Sequence, residues 1–302
     1  MSINIYNIKK WTRMFAGRSI YHVHQGVGKI YSKEKLQGYY NDFTEKVLRG
    51  DRYLEDGLPF LEDLDGSHIK FPISIFQYGL GAYDLWLMTG CNIFYKKFLL
   101  CSQWTIENQE ASGAWNTFYY IYPDHPYSAM SQGEGSSLAL RMYKETKDAQ
   151  WLCCAERAID FMLTPVSEGG TSQIDNQGNL ILLEYTNQEA VLNGWIFAFF
   201  GLFDFLKFNE QRKYYLAYNN TLNAIILSIH KFDCGYWSMY DLNGRIASPF
   251  YHSLHIALMS VMNNITGEEI FTDYAKRWVG QQRNPVKKCR ALLKKSLQKI
   301  IE

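Results

Sequence analysis

Leu182-Leu183-Glu184-Tyr185-Thr186, followed by Val191-Leu-Asn-Gly-Trp-Ile-Phe-Ala-Phe-Phe-Gly-Leu-Phe-Asp-Phe205, is the stretch from which the rest of the chain can be read. A carboxylate and a phenol stand side by side just before a helix too apolar to face water. A helix that is hydrophobic all round is buried all round. The pair is therefore mounted on a rigid frame, where acid/base chemistry is best held.

The pattern recurs along the chain. Helices beginning near Gln77-Tyr-Gly-Leu-Gly81, Gln132-Gly-Glu-Gly135, Leu192-Asn-Gly-Trp195 and Tyr251-His-Ser-Leu-His255 start about 55–60 residues apart. Three of them run into a break and a second helix, at Met88-Thr-Gly90, Glu145-Thr-Lys-Asp148 and Ile265-Thr-Gly-Glu268. The second helices, such as Phe271–Trp278, are amphipathic. Apolar helices alternating with amphipathic ones predict an all-α fold, an incomplete α/α toroid of about four helix pairs over residues 71–302. Residues 1–70 are broken by Gln25-Gly-Val-Gly28 and Asp63-Leu-Asp-Gly-Ser67, and predict an irregular N-terminal arm packed on that core. Asp175-Asn-Gln-Gly-Asn179 predicts the turn of a small β-hairpin that lifts Glu184 and Tyr185 into place. The aromatic stretches Trp115–Tyr122, 166–190 and Asp233–Tyr240 each precede an inner helix, so this topology gathers them at one mouth. Inner-helix N-termini point there too, and suit an anionic ligand.

Composition narrows the function. The 302 residues carry a formal net charge of +1, which argues against nucleic acid as a partner. Aromatic residues reach 16%, led by 22 Tyr and 18 Phe. Tyrosine beyond core needs suits a sugar cleft, where rings stack on pyranose faces and hydroxyls bond polar edges. The six cysteines show no CxxC pair and read as buried free thiols of a reducing compartment. His252 and His255 have the spacing of a metal pair but lack a third ligand, so neither metal nor cofactor is expected. Met1–Lys10 lacks the apolar core of a signal peptide, and the 191–206 run is too short to span a membrane. The expectation is a cytoplasmic protein. Val286–Ile300 predicts a basic amphipathic helix, read either as docked on the toroid or as weakly attached to an anionic membrane surface or a lipid-linked glycan.

The motifs resemble the C-terminal domain of the D-glucuronyl C5-epimerases. They are Phe71–Leu80, Tyr127-Ser-Ala-Met-Ser-Gln-Gly-Glu-Gly135 and onward to Tyr143, Glu184-Tyr185, Val191-Leu-Asn-Gly194, Tyr240-Asp-Leu242, Tyr251-His-Ser-Leu-His-Ile256 and Tyr274-Ala-Lys-Arg-Trp278. Leu183 and Thr186 stand where the family has Glu and Pro beside the Glu-Tyr pair. The resemblance implies conversion of D-glucuronate to L-iduronate within a glycan, with Glu184, Tyr185, Tyr240 and Tyr251 as catalytic residues.

That chemistry removes a proton next to a carboxylate and returns one to the opposite face. It needs the carboxylate neutralised, donors aimed at the enolate-like charge, and an acid/base on each face. Glu184 and Tyr251 are expected on the two faces, with Tyr185 and Tyr240 stabilising or relaying. Arg245, His252 and His255 are candidates for neutralising the carboxylate. Gln132 and Glu134 read as helix caps or sugar ligands, Trp115 as a stacking platform or a core anchor, and Tyr127 and Asn193 as further substrate contacts. A uronate lyase, which shares the first proton abstraction, and a non-catalytic glycan-binding module are the alternatives. A cleft without the family's β-rich N-terminal region could be completed by a second copy, as a homodimer.

Overall fold

The computed structural model describes residues 23–63 and 66–301. The first 22 residues, including the stretch examined for a signal peptide and the start of the arm, lie outside the described residues. The chain divides into two compact units, Gly28–Ile229 and His230–Glu302 with Met1–Val27.

The larger unit opens with α1 (Thr44–Leu48) and two short antiparallel hairpins, β1 (Leu54–Glu55) with β2 (Leu58–Pro59) and β3 (Leu61–Glu62) with β4 (His68–Ile69). Three helix pairs follow: α2 (Pro72–Thr89) with α3 (Asn92–Glu107), α4 (Ala129–Thr146) with α5 (Ala149–Leu163), and α6 (Leu192–Phe205) with α7 (Arg212–Ser228). α2, α4 and α6 lie side by side, and each packs against its own outer partner. The smaller unit supplies a fourth pair, α8 (Pro249–Thr266) with α9 (Glu269–Arg283), and ends in α10 (Pro285–Ile301). The fold is all-α, with the helix-pair repeat of an incomplete α/α toroid. Inner helices start at residues 72, 129, 192 and 249.

Local sequence sets these boundaries. Pro72 and Pro249 occupy first helical positions, where a missing N–H costs nothing. Ser128, Asp148 and Ser248 cap α4, α5 and α8 by accepting backbone N–H bonds. Gly90 and Gly267 end α2 and α8 at φ 66° and φ 80°.

The inner helix α4 is less apolar than its burial suggests. Ser131, Gln132, Glu134, Ser136, Ser137 and Arg141 are all buried. Small residues let the helices close up: a side chain at Gly201 of α6 would overlap the backbone of Gly133 in α4. Arg141 donates to Asp204 at 2.7 Å and to the backbone carbonyls of Gln37 and Gly38. Asp204 also accepts from Tyr40 at 2.5 Å and Ser137 at 2.8 Å. Burial raises the Asp204 pKa, but Arg141, Lys207 and the hydrogen bonds outweigh it and hold the carboxyl below its ordinary range. This knot ties the described part of the arm to the inner helices, where Tyr39, Tyr40 and Phe43 bury their rings against Phe197 and Phe200.

All six cysteines are free, but only Cys101 and Cys154 are buried; Cys91, Cys153 and Cys289 are exposed. No helix of the described residues is long and apolar enough to cross a membrane.

Candidate active site

In the larger unit, Glu184 and Tyr185 stand at the end of a hairpin, as the 175–179 turn predicts. β5 (Ser172–Ile174) pairs antiparallel with β6 (Leu180–Leu182), and Gly178 takes φ 82° in the turn. The strand continues into Leu183, whose N–H donates to Thr171 O at 2.9 Å. Its carbonyl accepts from Ala129 N, the first residue of α4, at 2.8 Å. Both backbone groups are thus fixed one residue before the carboxylate. Glu184 is 6% exposed and packs on Gly194 in the first turn of α6, where any side chain would overlap its carboxylate. Gly194 of the Val191-Leu-Asn-Gly194 motif is therefore the seat of Glu184.

Tyr185 is half-buried. Its ring stacks on Phe118 (centroids 4.5 Å apart) and meets the edge of Tyr122 at 6.0 Å. Gln188 ties the segment to the Tyr122 hydroxyl, and Thr186 meets His125 at 3.3 Å. The aromatic 115–122 stretch and the 166–190 hairpin do converge within this unit.

Several residues read as substrate contacts are buried structural groups. Trp115 is fully buried, donates to Thr105 O at 2.8 Å and meets the Phe76 ring edge-on. Of its two sequence readings, the core anchor describes the packing. Gln132 is fully buried, and its amide serves the Trp115 N–H and the Gly113 carbonyl. Glu134 accepts from Gln77 at 2.9 Å, while its second oxygen has no hydrogen-bond partner among the described residues. Burial pushes its carboxyl well above the ordinary range; Gln77 and Lys46 oppose the shift and the Glu184 charge adds to it. Neither Gln132 nor Glu134 caps α4, since Ser128 does. Asn193 is 3% exposed. Tyr127 donates to Glu110 at 2.8 Å and sits edge-on to Phe161; burial first and Glu110 second push its phenol up to about 12.

In the smaller unit, Tyr240 and Tyr251 meet edge to face with centroids 4.9 Å apart, both half-buried. A tight turn through Asn243-Gly244 brings the Tyr240 N–H to Arg245 O at 2.7 Å. It sets the Arg245 guanidinium 5.5 Å from the Tyr240 ring centre, paired with the buried carboxylate of Asp241. Lys295 of α10 lies 5.9 Å from the same ring and is 7% exposed. The turn holds α10 through Gln298, which accepts from Ile246 N at 2.9 Å and donates to Gly244 O at 2.7 Å. With Ala291 in the core, residues 291, 295 and 298 form one docked helix face. Val286, Leu293 and Leu297 stay exposed. The docked reading of this helix describes the structure.

His252 and His255 are enclosed, away from any place where a substrate carboxylate could reach them. His252 Nε2 lies 3.1 Å from Trp278 O, so that nitrogen carries the proton and Nδ1 accepts from Ser238 N–H at 3.1 Å and Ser238 Oγ at 2.8 Å. With its hydroxyl proton used there, Ser238 Oγ accepts from His255 Nδ1 at 2.9 Å. Burial lowers the two imidazoles to about 4 and about 3, the His252 charge adding to the drop at His255. Both face Ser238 rather than converging on a metal, because the loop before α8 folds back over the helix. Their role is to hold that loop and the first turn of α8, which carries Tyr251.

Lys295 escaped the sequence reading because α10 read only as a basic stripe. The available signal was Ala291, Lys295 and Gln298 at helical spacing, one cation on the side of the helix that the small residue marks as inward.

The sequence model of the family described as D-glucuronyl C5-epimerase C-terminus matches residues 109–280, more than half of the chain. The chain belongs to that family. It is 26% identical over 215 residues to a D-glucuronyl C5-epimerase of Caenorhabditis elegans, covering 61% of this chain and 34% of that protein. It is 32% identical over 141 residues to an uncharacterised protein of Methanocaldococcus jannaschii, covering 45% of this chain and 46% of that one. The chain thus spans a third to a half of the length of these curated relatives. Among solved structures, a family 76 glycoside hydrolase from a bovine Bacteroides thetaiotaomicron strain aligns with TM-score 0.43 and 15% identity, over 68% of this chain and 43% of that one.

Proposed function

We propose that this protein is an isomerase that epimerises D-glucuronate to L-iduronate at C5 within a glycan, by proton abstraction and reprotonation. The observation that carries the reading is the Tyr240–Tyr251 pair inside the family-matched segment, two phenols in edge contact beside a guanidinium. Phenols and carboxyl groups can exchange a carbon-bound proton when burial and neighbours bring their acidities together. Glu184, Tyr185, Tyr240 and Tyr251 are assigned to that proton exchange and to stabilising the enolate-like charge. Arg245 and Lys295 are the cations assigned to the substrate carboxylate, whose charge is the main barrier to forming a carbanion beside it. Lys295 lies beyond the family-matched residues, so its role belongs to this chain's own C-terminal helix.

The test is incubation with glucuronate-containing oligosaccharides in D2O, followed by NMR at C5 and ultraviolet absorbance. Deuterium at C5 without a new chromophore is the expected result. A rising chromophore would mean elimination at C4 and a lyase, and saturable binding with neither would mean a binding module. Tyr251→Phe removes one hydroxyl from an edge-packed ring and is expected to lower exchange at least a hundredfold while glycan binding persists; undiminished exchange would remove Tyr251 from the mechanism.

A further inference from the structure

A cavity of about 350 Å³ opens on the larger unit beside the first turn of α2, lined by Lys70, Trp104, Asn108, Trp115, Asn116 and Tyr119. Its members come from three segments that the fold holds firmly. Trp115 forms the floor, pinned by its indole bond to Thr105 O. Asn108 ends α3 with its amide bonded to Trp104 O at 2.9 Å. Lys70 is fixed by the carbonyl and carboxylate of Glu55 at 2.8 and 3.0 Å. Asn116 and Tyr119 are exposed on the same loop, Tyr119 by 47%.

The lining has a definite chemistry. The Trp104 indole and the Tyr119 phenol offer faces for the C–H side of a pyranose, and two carboxamides offer paired donors and acceptors for its hydroxyls. A single ammonium, already shared with Glu55, suits a polar or singly acidic substituent. A phosphate would call for more cations than this cavity holds. A drug-sized apolar molecule would call for fewer amides. The cavity and the candidate active site share one loop: Phe118, between Asn116 and Tyr119, is the buried ring stacked on Tyr185.

We propose that this cavity is a flanking sugar subsite, binding a pyranose residue of the same acidic glycan next to the one held at Glu184–Tyr185. The proposal rests on the glycan reading above and adds to it a length requirement. A substrate long enough to reach the cavity gains binding from it, whereas the shortest substrate does not.

The experiment uses the full chain with size-defined glucuronate-containing oligosaccharides, measuring affinity by calorimetry and C5 exchange in D2O. Tyr119→Ala and the double variant Asn116→Ala/Tyr119→Ala are the main probes, because both residues are exposed and their loss leaves the core intact. Trp104→Phe keeps the ring packed on Phe76 while shrinking the platform. Ile121→Ala, exposed on the same loop outside the cavity, is the control. The expected result is a loss of about tenfold in affinity and a matching rise in KM for long oligosaccharides, with kcat and the shortest substrate unchanged. A loss equal at every length, or none at any length, overturns the subsite and leaves the epimerase reading standing. Length-dependent binding lost in the variants, with no C5 exchange in the wild-type protein, supports the subsite and overturns the epimerase reading instead.

Discussion

Each compact unit holds a buried polar knot, and the two are built on opposite principles. In the larger unit the knot is charged: Arg141 and Asp204, both fully buried, share hydrogen bonds with Tyr40, Ser137 and two arm carbonyls. In the smaller unit the knot is neutral: Ser238 between two imidazoles, under the indole of Trp237 stacked 3.6 Å from His252. A buried ion pair recovers its desolvation cost only when every lone pair is served, and the Asp204 site achieves this by drawing on segments far apart in sequence. The neutral knot avoids that cost with few partners, and its weakness is that imidazoles titrate.

The contrast is broken most severely at Asp204. Asp204→Ala leaves a buried guanidinium without its counter-charge and the Tyr40 hydroxyl without its acceptor, and is expected to cost about 3–5 kcal/mol in chemical unfolding. Replacing Arg141 and Asp204 together by apolar residues of similar volume should cost less than Asp204→Ala alone, because no charge is then stranded. If the double variant is the less stable of the two, the knot does more than compensate its own charges.

Acid separates the two units next. The imidazoles of His252 and His255 are depressed in the folded state, so the unfolded chain takes up protons first as pH falls below about 6.5. The stability they contribute is whole above that pH and is lost as pH falls toward about 4 at His252 and about 3 at His255. Each histidine costs about 1.4 kcal/mol per pH unit inside its window. Asp204 is depressed as well, but its contribution is whole above the ordinary aspartate range and fades only below it. Hydrogen exchange between pH 7 and 4.5 should therefore lose protection across residues 230–299 before residues 28–229. Simultaneous loss in both would mean that the histidines do not set the acid limit.

The pattern of apolar runs and breaks was enough to place the helix pairs, because burial on all sides and burial on one side leave different periodicities. It was enough for the hairpin too, since Asp175-Asn-Gln-Gly-Asn179 has few other uses. What it did not reveal is which polar residues of an inner helix face a ligand and which face a neighbour. Gln132, Glu134 and Trp115 sit at the right phase for a mouth, yet Gln132 turns to the backbone of Gly113 and Trp115, Glu134 to Gln77 of α2, and Trp115 onto the bare backbone of Gly135. Residue type and phase are properties of one segment; the enclosure of His252 depends on a loop and a helix that only the folded chain brings together.

A smaller effect is expected where Glu184 rests on bare backbone. Gly194→Ala inserts a methyl into the space of the Glu184 carboxylate and should cost about 1–3 kcal/mol by overpacking. Because the displaced group is the proposed acid/base, C5 exchange should fall by more than glycan affinity does. Exchange and affinity falling together would make Glu184 a binding group rather than a proton carrier.

The mildest break is Ser238→Ala, and it asks whether the neutral knot acts through its hydroxyl or only through its packing. The backbone N–H of residue 238 still donates to His252 Nδ1, so that imidazole keeps its tautomer. His255 loses the acceptor of its Nδ1 proton, and its Nε2 already lacks a partner among the described residues. One buried donor left unserved costs about 1–2 kcal/mol, well below the Asp204 loss, because no charge is exposed to the interior. Thermal unfolding at pH 7.5 measures that cost. Nitrogen-15 shifts of the two imidazoles supply the readout that packing alone would not move: the His255 ring changes tautomer or becomes an equilibrium of two, while His252 does not. Unchanged shifts at both rings would show that the Ser238 hydroxyl merely fills space.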